Sequence, residues 1–490
     1  MDNTGYTPEE PIAAVATALA PAALGIIRVS GKNSIQLLSK IFSRPKALNE
    51  AAGNTIVYGW IVAPSNEGLT KSVGGDHDCS QDQKAARIDE VLVSVFRAPK
   101  SFTGEEMAEI SCHGGTAVVT KIFNLLLQNG FRQAERGEFT FRAFINGKAD
   151  LTKAEAVREI IESRTGASSQ KAAGRLAGNL SQEIERVQKS LIDTLAQIEV
   201  EIEYPEDEET IADAYDQTKL LEAIAALERL AHTWKSEKLY QEGARLVLCG
   251  KTNAGKSSLF NCLLKEERAI VSDIEGTTRD WIESWISIDG IPARLFDTAG
   301  LRSTSDEIEA RGVESAKELS GEADLLLYLA DVTLPKDQID LAFLAERKEP
   351  VIFVWNKFDK ISQDQKAAIS EAQKFYEAAS KKIPALSGQV FVSAKNGGGV
   401  KDLVAMAKAL LLKGQQTERS QAGLGSERQK RLVESALESL RHAASLQKGY
   451  SLDAAVQDIE DALDFLGELT GRVTADDILD SVFSNFCVGK

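Results

Sequence analysis

The stretch Leu246-Val-Leu-Cys-Gly-Lys-Thr-Asn-Ala-Gly-Lys-Ser-Ser258 decides the fold predicted for this chain. Apolar residues indicate a buried strand before it and a helix after it, and the loop between them fits the G-x-x-x-x-G-K-[ST] phosphate loop. Its glycines let backbone N–H groups curl around a phosphate, while the helix N-terminus adds positive potential. Lys256 is expected to reach the β- and γ-phosphates, and Ser257 to offer its hydroxyl to Mg²⁺. The stretch predicts a doubly wound α/β domain that binds a nucleoside triphosphate.

Two motifs further along the chain indicate guanine as the base. Asn356-Lys-Phe-Asp359 follows the apolar strand 351–355. The Asp359 carboxylate can accept two N–H bonds from guanine, whereas adenine lacks these donors and would leave the carboxylate unpaired. Ser393-Ala-Lys395 follows another predicted strand and would present a backbone N–H to guanine O6. Together the motifs predict a GTP site.

Two motifs between the phosphate loop and Asn356 are typical of nucleotide-dependent switches. Asp297-Thr-Ala-Gly300 ends a strand that an Asp289-Gly290 hairpin turn pairs with its neighbour. Asp297 would hold Mg²⁺ through water, and the Gly300 N–H would sense the γ-phosphate. Thr277-Thr278-Arg279-Asp280 lies in the preceding loop, where a threonine hydroxyl can bind Mg²⁺ only while the γ-phosphate is present.

One expected group is absent from the predicted GTP site. Leu301 stands where Ras-like GTPases place the glutamine that orients the attacking water. Either hydrolysis is very slow or another group positions the water. Charge that builds on the β–γ bridge also requires a positive group. Asn253 could coordinate a monovalent cation there, or it could be an ordinary loop asparagine bonded to its own backbone.

Composition limits the class of protein. A chain of 490 residues predicts two to four domains, and no apolar run reaches the roughly 18 residues that span a bilayer. The N-terminus lacks the pattern of a signal peptide, and the five scattered cysteines favour a reducing compartment, so we expect a cytoplasmic protein with no membrane association. A net charge of −16 argues against a chain whose whole surface binds nucleic acid.

The chain is predicted to contain an inserted nucleotide domain. Short strands and helices indicate an α/β domain over residues 1–147, in which Cys112 and His113 are strand neighbours that point to opposite faces. Apolar residues from Leu176 to Ile202 step by three or four and predict one long helix. Helical patterns therefore occupy residues 148–243 and 414–490, on either side of the strand-rich block 244–413.

Motifs outside the nucleotide block give the chain a family resemblance. Gly25-Ile-Ile-Arg-Val-Ser-Gly31, Phe102-Thr-Gly-Glu105, Gly137-Glu-Phe-Thr140, Arg142-Ala-Phe-Ile-Asn-Gly-Lys148 and Phe486-Cys-Val-Gly-Lys490 together resemble the MnmE (TrmE) family of tRNA-modification GTPases. The match covers essentially the whole chain in family order. It implies an N-terminal folate-binding and dimerisation domain, a helical domain and an inserted Ras-like P-loop domain.

The resemblance also implies roles for residues at the two ends of the chain. A 5,10-methylene- or 5-formyl-tetrahydrofolate would contact Arg28, Glu109, Lys148 and Lys490. Cys487, the cysteine of the family's C-terminal motif, would act near the chemistry. The alternative for Cys487 is a small buried residue that packs between Phe486 and Val488.

In the nucleotide domain the resemblance implies a K⁺-stimulated GTPase activated when the domains of two subunits meet. Glu309 would activate water in place of the absent glutamine, while Ser257 and Thr278 would bind Mg²⁺. The K⁺ ligands would be Asn253, Ser272, Ile274 and Thr277. The full set of GTP-contacting residues would be Asn253, Ala254, Gly255, Lys256, Ser257, Ser258, Ser272, Asp273, Ile274, Glu275, Gly276, Thr277, Thr278, Asp297, Thr298, Ala299, Gly300, Asn356, Lys357, Asp359, Ser393, Ala394 and Lys395.

The implied activity requires partners. A homodimer of such a protein works in a heterotetramer with the FAD-containing MnmG, which carries most of the tRNA contact. Together they attach a carboxymethylaminomethyl or aminomethyl group to C5 of the wobble uridine. The alternative function is a ribosome-assembly or stress-related switch GTPase without tRNA chemistry.

Overall fold

The chain folds into two units that are interleaved along the sequence. In this computed structural model the described residues are 10–63, 86–203, 217–266, 282–297, 323–361, 366–413, 422–446, 452–472 and 476–489. The first unit contains residues 1–155 and 467–490, and the second contains residues 156–466. No helix within these described ranges is both long enough and apolar enough to cross a bilayer.

Alternating apolar residues produce the sheet of the first unit. Its strands are β1 (Ile12–Val15), β2 (Leu24–Ser30), β3 (Thr55–Ala63), β4 (Ala86–Phe96), β5 (Met107–His113) and β6 (Arg132–Gln133). Their order is β3-β4-β5-β2-β1-β6, antiparallel throughout except for the parallel pair β1–β6. Because side chains alternate along a strand, Ile27 and Val29 enter one core while Arg28 points to the opposite face.

Helices cover both faces of this sheet. They are α1 (Ser34–Ser39), α2 (Pro45–Asn49), α3 (Thr116–Gln128) and α4 (Glu138–Ile145). Residues of α1 and α3 pack on the face that carries Ile27 and Val29. On the other face, Phe139 of α4 packs with Ile12 and Ala14 of β1. The face that carries Arg28 is therefore the one that α4 approaches.

The described part of the second unit begins with four helical segments. They are α5 (Leu151–Glu162, whose first residues belong to the first unit), α6 (Gly166–Leu176), α7 (Asn179–Glu203) and α8 (Gln217–Glu242). The prediction of one helix from Leu176 to Ile202 is wrong, because the chain breaks at Gly178. That glycine adopts φ 98°, a left-handed conformation that ends α6. Leu176 is exposed, so it does not belong to the buried seam of α7.

The nucleotide block forms a sheet buried on both faces. Its strands are β7 (Ala244–Cys249), β8 (Ile282–Ile288), β9 (Ile291–Asp297), β10 (Leu325–Asp331), β11 (Val351–Asn356) and β12 (Leu386–Phe391). Their order is β12-β11-β10-β7-β9-β8, parallel except for the hairpin β8–β9. The predicted Asp289-Gly290 turn joins that hairpin, with φ 45° and 94°, as a mirror-image two-residue turn requires.

Helices complete the second unit and the C-terminal part of the chain. Those beside the nucleotide sheet are α9 (Lys256–Glu266), α10 (Leu341–Ala345), α11 (Lys366–Ser380) and α12 (Val400–Leu411). The chain then forms α13 (Glu427–Ser445), α14 (Leu452–Thr470) and α15 (Asp476–Phe483). In the first unit, the Phe483 ring of α15 packs edge-on against Phe141 of α4, with centroids 5.3 Å apart. This contact fixes the C-terminal segment beside α4.

A buried ionic network ties β2, α4 and the intervening loop together in the first unit. Arg142 is fully buried and contacts Glu138 at 2.8 Å and Glu105 at 3.0 Å. Burial would raise the pKa of Glu138, but hydrogen bonds from Arg132, the Glu135 N–H and Arg142 lower it overall. The Ser30 hydroxyl donates to Glu105, so the network reaches β2.

Removing the central cation of this network is expected to destabilise the first unit. Arg142→Met should lower the free energy of opening of β2 and α4 by roughly 3–5 kcal/mol, because two carboxylates lose their buried partner. Hydrogen exchange of peptides covering both elements measures this change. The control is Lys46→Met, which removes the exposed Lys46–Glu50 pair and should change stability by less than about 1 kcal/mol. Equal effects of the two substitutions would contradict the assigned role of the network.

Candidate functional site

The loop after β7 has the backbone of a phosphate cradle. Gly250 and Gly255 adopt φ 126° and 97°, and a Cβ at either position would lie 2.2 Å from another atom (Leu329 O and Asn356 Nδ2, respectively). Glycine is therefore required at both positions. Lys256 is nearly buried and donates from Nζ to the carbonyl oxygens of Gly250 and Lys251 at 2.7 and 3.0 Å.

The Lys256 ammonium is positioned for an anion. Burial lowers the pKa of Lys256, and the carboxylate of Asp297 opposes part of this effect. The loop's own carbonyls, which hold the ammonium here, are weak substitutes for a phosphate. A bound phosphate would supply the negative charge that this buried amine lacks.

Oxygen ligands suited to Mg²⁺ meet beside this lysine. The Ser257 hydroxyl donates to Asp297 Oδ2 at 2.9 Å, which brings the start of α9 to the carboxyl end of β9. Hydroxyl and carboxylate oxygens are ligands that Mg²⁺ accepts, together with water and substrate phosphates. The donor set of Ser257 and Asp297 therefore fits the predicted ion.

Asn356 links three loops of the site. Its side-chain Nδ2 donates to the Ala254 carbonyl at 2.8 Å, and its Oδ1 accepts from the Ala394 N–H at 3.1 Å. The residue is almost completely buried. The phosphate loop, the Asn356–Asp359 motif and the Ser393–Lys395 motif are thus brought together as the sequence predicts.

The base-recognition end of the site is also organised. The Ser393 hydroxyl donates to Asp359 Oδ1 at 2.7 Å and orients the carboxylate. Lys357, at φ 63°, contacts Asp331 Oδ2 at 2.8 Å. Burial would raise the pKa of Asp331, but hydrogen bonds from Lys357 and Thr333 lower it overall.

Asp331 is a site residue that the sequence analysis missed. It ends β10 and so lies at the same edge of the sheet as the phosphate loop. Polar residues at the carboxyl ends of parallel strands commonly line ligand sites, and that rule could have identified it. Ser258 and Lys395 are exposed at the same edge, and Asn253 is exposed in the loop with φ 63°.

Several predicted residues fall outside the described part of the chain. They are Ser272, Asp273, Ile274, Glu275, Gly276, Thr277, Thr278, Thr298, Ala299, Gly300, Glu309 and Lys490. Their assigned roles stay predictions.

A second candidate site lies in the first unit, on the α4 face of the sheet. Arg28 Nε and Glu109 Oε1 form an ion pair at 2.7 Å between paired residues of β2 and β5. Arg28 Nη1 also donates to the Gly489 carbonyl at 3.2 Å. The residue that precedes Lys490 is therefore beside two of the predicted folate-contacting residues.

Lys148 reaches this region through a neighbouring loop. Its Nζ donates to the Pro99 carbonyl at 2.8 Å, and Asn146 Nδ2 donates to the Thr103 carbonyl at 2.8 Å. Thr103 in turn hydrogen-bonds Ser30, two residues from Arg28 on β2. The structure thus connects Lys148 to the Arg28 strand through the 99–105 loop, without a direct contact between the two side chains among the described interactions.

Cys487 is exposed, so the alternative of a packed core cysteine is wrong. The Cys487 carbonyl accepts a hydrogen bond from the Gly137 N–H at 3.5 Å, and Val488 forms an isolated antiparallel β-bridge with Arg136.

Two other cysteines in the described part of the chain are buried. Burial raises the pKa of Cys112 to about 11 and that of Cys249 to about 12, so both thiols stay protonated. His113 is the exposed strand neighbour of Cys112 and instead contacts Asp89, which confirms that the two residues form no dyad.

The doubly wound sheet and the nucleotide motifs at its carboxyl edge define a P-loop GTPase. The family model for the MnmE helical domain matches residues 151–487, and the model for the N-terminus of the GTP-binding protein TrmE matches residues 11–148. The chain belongs to the MnmE family of tRNA modification GTPases.

Named relatives agree along nearly the whole chain. The tRNA modification GTPase MnmE of Treponema denticola is 50% identical over 496 residues, 99% of each chain. That of Treponema pallidum is 41% identical over 516 residues, again 99% of each, and that of Carboxydothermus hydrogenoformans is 38% identical over 491 residues, 98% of this chain and 100% of the other. Among solved structures, the G domain of the T. maritima FeoB iron transporter covers 35% of this chain at 27% identity and TM-score 0.24.

The Asp359 carboxylate is expected to set base specificity. Asp359→Asn should weaken GTP binding by on the order of 10³-fold, because an amide cannot accept both guanine N–H bonds. The same variant should gain affinity for xanthosine triphosphate, whose C2 carbonyl can accept an N–H from the new amide. Titration of each protein with fluorescent GDP and with fluorescent xanthosine diphosphate measures both affinities. Asp337→Asn, at an exposed position, is the matched control, and an unchanged preference for GTP in Asp359→Asn would remove the assigned role.

Proposed function

We propose that this GTPase drives modification of the wobble uridine in tRNA, adding a carboxymethylaminomethyl or aminomethyl group at C5 together with a FAD-dependent MnmG partner. The observation that carries the proposal is the arrangement of the first unit, where the C-terminal segment lies against the Arg28–Glu109 pair and exposes Cys487. A GTPase that acted only as a binding switch would have no need for this second site. A tRNA-modifying role places the protein in the cytoplasm.

The residue types assigned to the folate by the family resemblance fit a tetrahydrofolate. Glu109 offers a carboxylate that can accept N–H bonds from the pterin ring, whereas Arg28, Lys148 and Lys490 offer cations for the folate carboxylates. When bound, the folate would supply the one-carbon unit for the C5 substituent. Cys487, exposed at the neighbouring segment, is the nucleophile candidate of this chain.

Hydrolysis of GTP in this proposal requires water activation and added positive charge. Water attacks the γ-phosphorus and the bond to the β–γ bridging oxygen breaks. Glu309 accepts the proton of that water, in place of the glutamine that Leu301 replaces. Ser257 and Thr278 would hold Mg²⁺, and Asn253, Ser272, Ile274 and Thr277 would hold K⁺; these ions would neutralise the developing charge.

The proposal includes a homodimer formed through the first unit, within a heterotetramer with MnmG. Ile56, Tyr58 and Leu92 are exposed apolar residues on the adjacent strands β3 and β4. Tyr58 and Leu92 are register partners, so they form a continuous surface, and such a surface supports contact with a second protein chain.

The domain boundaries at 1–147, 148–243, 244–413 and 414–490 are also part of this proposal.

Nucleoside analysis of tRNA tests the proposed function. A strain that lacks the gene should lose C5-modified wobble uridines, and the wild-type gene should restore them, whereas Cys487→Ala should not. Cys262→Ala, a cysteine of α9 outside the folate region, is the matched control and should restore modification. Unchanged wobble uridines in the deletion strain, with altered ribosomal-subunit profiles, would instead support the alternative of a ribosome-assembly GTPase.

Cation dependence tests the role of Asn253. GTP turnover should be much faster in K⁺ than in Na⁺, and Asn253→Gly should reduce the K⁺ stimulation roughly tenfold or more by removing a ligand oxygen. Glycine tolerates the φ of 63° at this position, so the loop backbone is preserved. Asn54→Gly, at φ 61° in the first unit, is the matched control. Equal turnover in the two salts would exclude a K⁺ site.

A further inference from the structure

A large cleft in the second unit has no role in the GTP site. Its volume is about 1390 Å³, and its lining includes Arg245 in β7, Asp324 immediately before β10 and Pro350 immediately before β11. These residues mark the N-terminal ends of the parallel strands. GTP binds at the opposite, carboxyl edge of the same sheet, so the cleft is a separate feature.

The cleft is basic although the chain is acidic. Six of its lining residues carry positive charge, and three, Glu162, Glu242 and Asp324, carry negative charge. The whole chain has a net charge of −16, so the local excess of cations opposes the overall balance. The basic residues are Arg164, Lys235, Lys238, Arg245, Arg294 and Lys413.

Aromatic rings are interleaved with these cations. The Arg164 guanidinium lies 3.9 Å from the centroid of the Trp285 ring, and the Arg294 guanidinium lies 4.9 Å from it. Gly243 leaves room for that ring, since a Cβ there would lie 2.5 Å from Trp285 Cζ3. Trp234 is half-buried and lines the same cleft. Planar guanidinium groups and indole rings are surfaces on which nucleic-acid bases stack.

Two exposed lysines line the same cleft. They are Lys235 of α8 and Lys413, just after α12, and the Lys413 amine lowers the pKa of Lys235. An anion bound beside both lysines would offset the repulsion between their ammonium groups. The pair therefore favours an anionic ligand.

We propose that this cleft binds a strand of RNA, with Lys235, Lys413 and neighbouring cations on its phosphodiester groups, and with Trp234 and the guanidinium groups stacked on Trp285 beside its bases. The proposal rests on the proposed tRNA-modifying function, and it identifies a contact for the RNA on this chain in addition to that made by the partner. A volume of about 1390 Å³ exceeds that of ordinary small-molecule pockets, roughly 300–1,000 Å³, which favours an extended ligand. An acidic polypeptide would match the cations but would leave the stacking surfaces without a counterpart.

Binding of a short, unstructured, fluorescein-labelled RNA to the full-length protein tests the proposal by anisotropy. Lys235→Ala/Lys413→Ala should weaken binding about tenfold and reduce the slope of log K against log salt by about 1.4, the value for two lost single-strand phosphate contacts. Lys374→Ala/Lys381→Ala removes two exposed lysines of the same unit outside the cleft and should bind as the wild type does. Thermal melting followed by circular dichroism verifies that both variants are folded.

Three outcomes would overturn the RNA assignment. The first is equal RNA binding by the wild type and the Lys235→Ala/Lys413→Ala variant. The second is full displacement of the RNA by a mononucleotide or inorganic phosphate at the concentration at which each binds alone, which would identify a small phosphate ligand. The third is binding of poly-glutamate to the cleft without RNA binding.

The nucleoside analysis of the deletion strain separates this inference from the proposed function. If wild-type protein restores wobble-uridine modification but the cleft variant binds RNA normally, only the cleft assignment fails. If deletion leaves the wobble uridines unchanged, the tRNA-modifying function fails, whatever the anisotropy shows.

Discussion

The buried Asn356 amide is the contact on which the geometry of the GTP site depends. It donates to the phosphate loop and accepts from the loop predicted to contact guanine, while its own backbone ends the strand β11. Gly255 must lack a side chain for this amide to fit. An unpaired buried amide costs about 1–3 kcal/mol, so loss of either bond would be felt at both ends of the nucleotide. The loops predicted to bind the phosphates and the base are therefore held in position by the same side chain.

In the first unit, a buried ionic network connects elements that are distant in sequence. Arg142 lies completely buried between Glu105 and Glu138, and through Ser30 the network reaches the strand that carries Arg28. Buried ion pairs contribute little net stability compared with apolar packing, but they define geometry because each partner must be satisfied. The network therefore holds α4 and the 99–105 loop beside the folate-binding candidates rather than simply adding stability.

The sequence predicted the parts of the fold that local patterns encode. The phosphate loop, the Asp289-Gly290 turn and the buried strand before Asn356 all depend on neighbouring residues, and the structure confirms them. The prediction of one helix across Gly178 is wrong, because the apolar spacing continues on both sides of a glycine that ends one helix. Long-range pairs such as Asp331–Lys357 and Arg28–Gly489 are invisible to local pattern, since they depend on which strands become neighbours.

The hydrogen bond from Arg28 to the Gly489 carbonyl has a consequence for the synthesis and folding of the chain. Residues 467–490 complete a unit whose other part, residues 1–155, is synthesised first, with residues 156–466 between them. At roughly 5–20 residues per second, the early part waits on the order of tens of seconds for its last segment. During that interval the Arg28–Glu109 pair lacks the hydrogen bond that the Gly489 carbonyl later accepts from Arg28. The candidate folate site of the first unit is therefore completed only after the nucleotide domain has emerged from the ribosome.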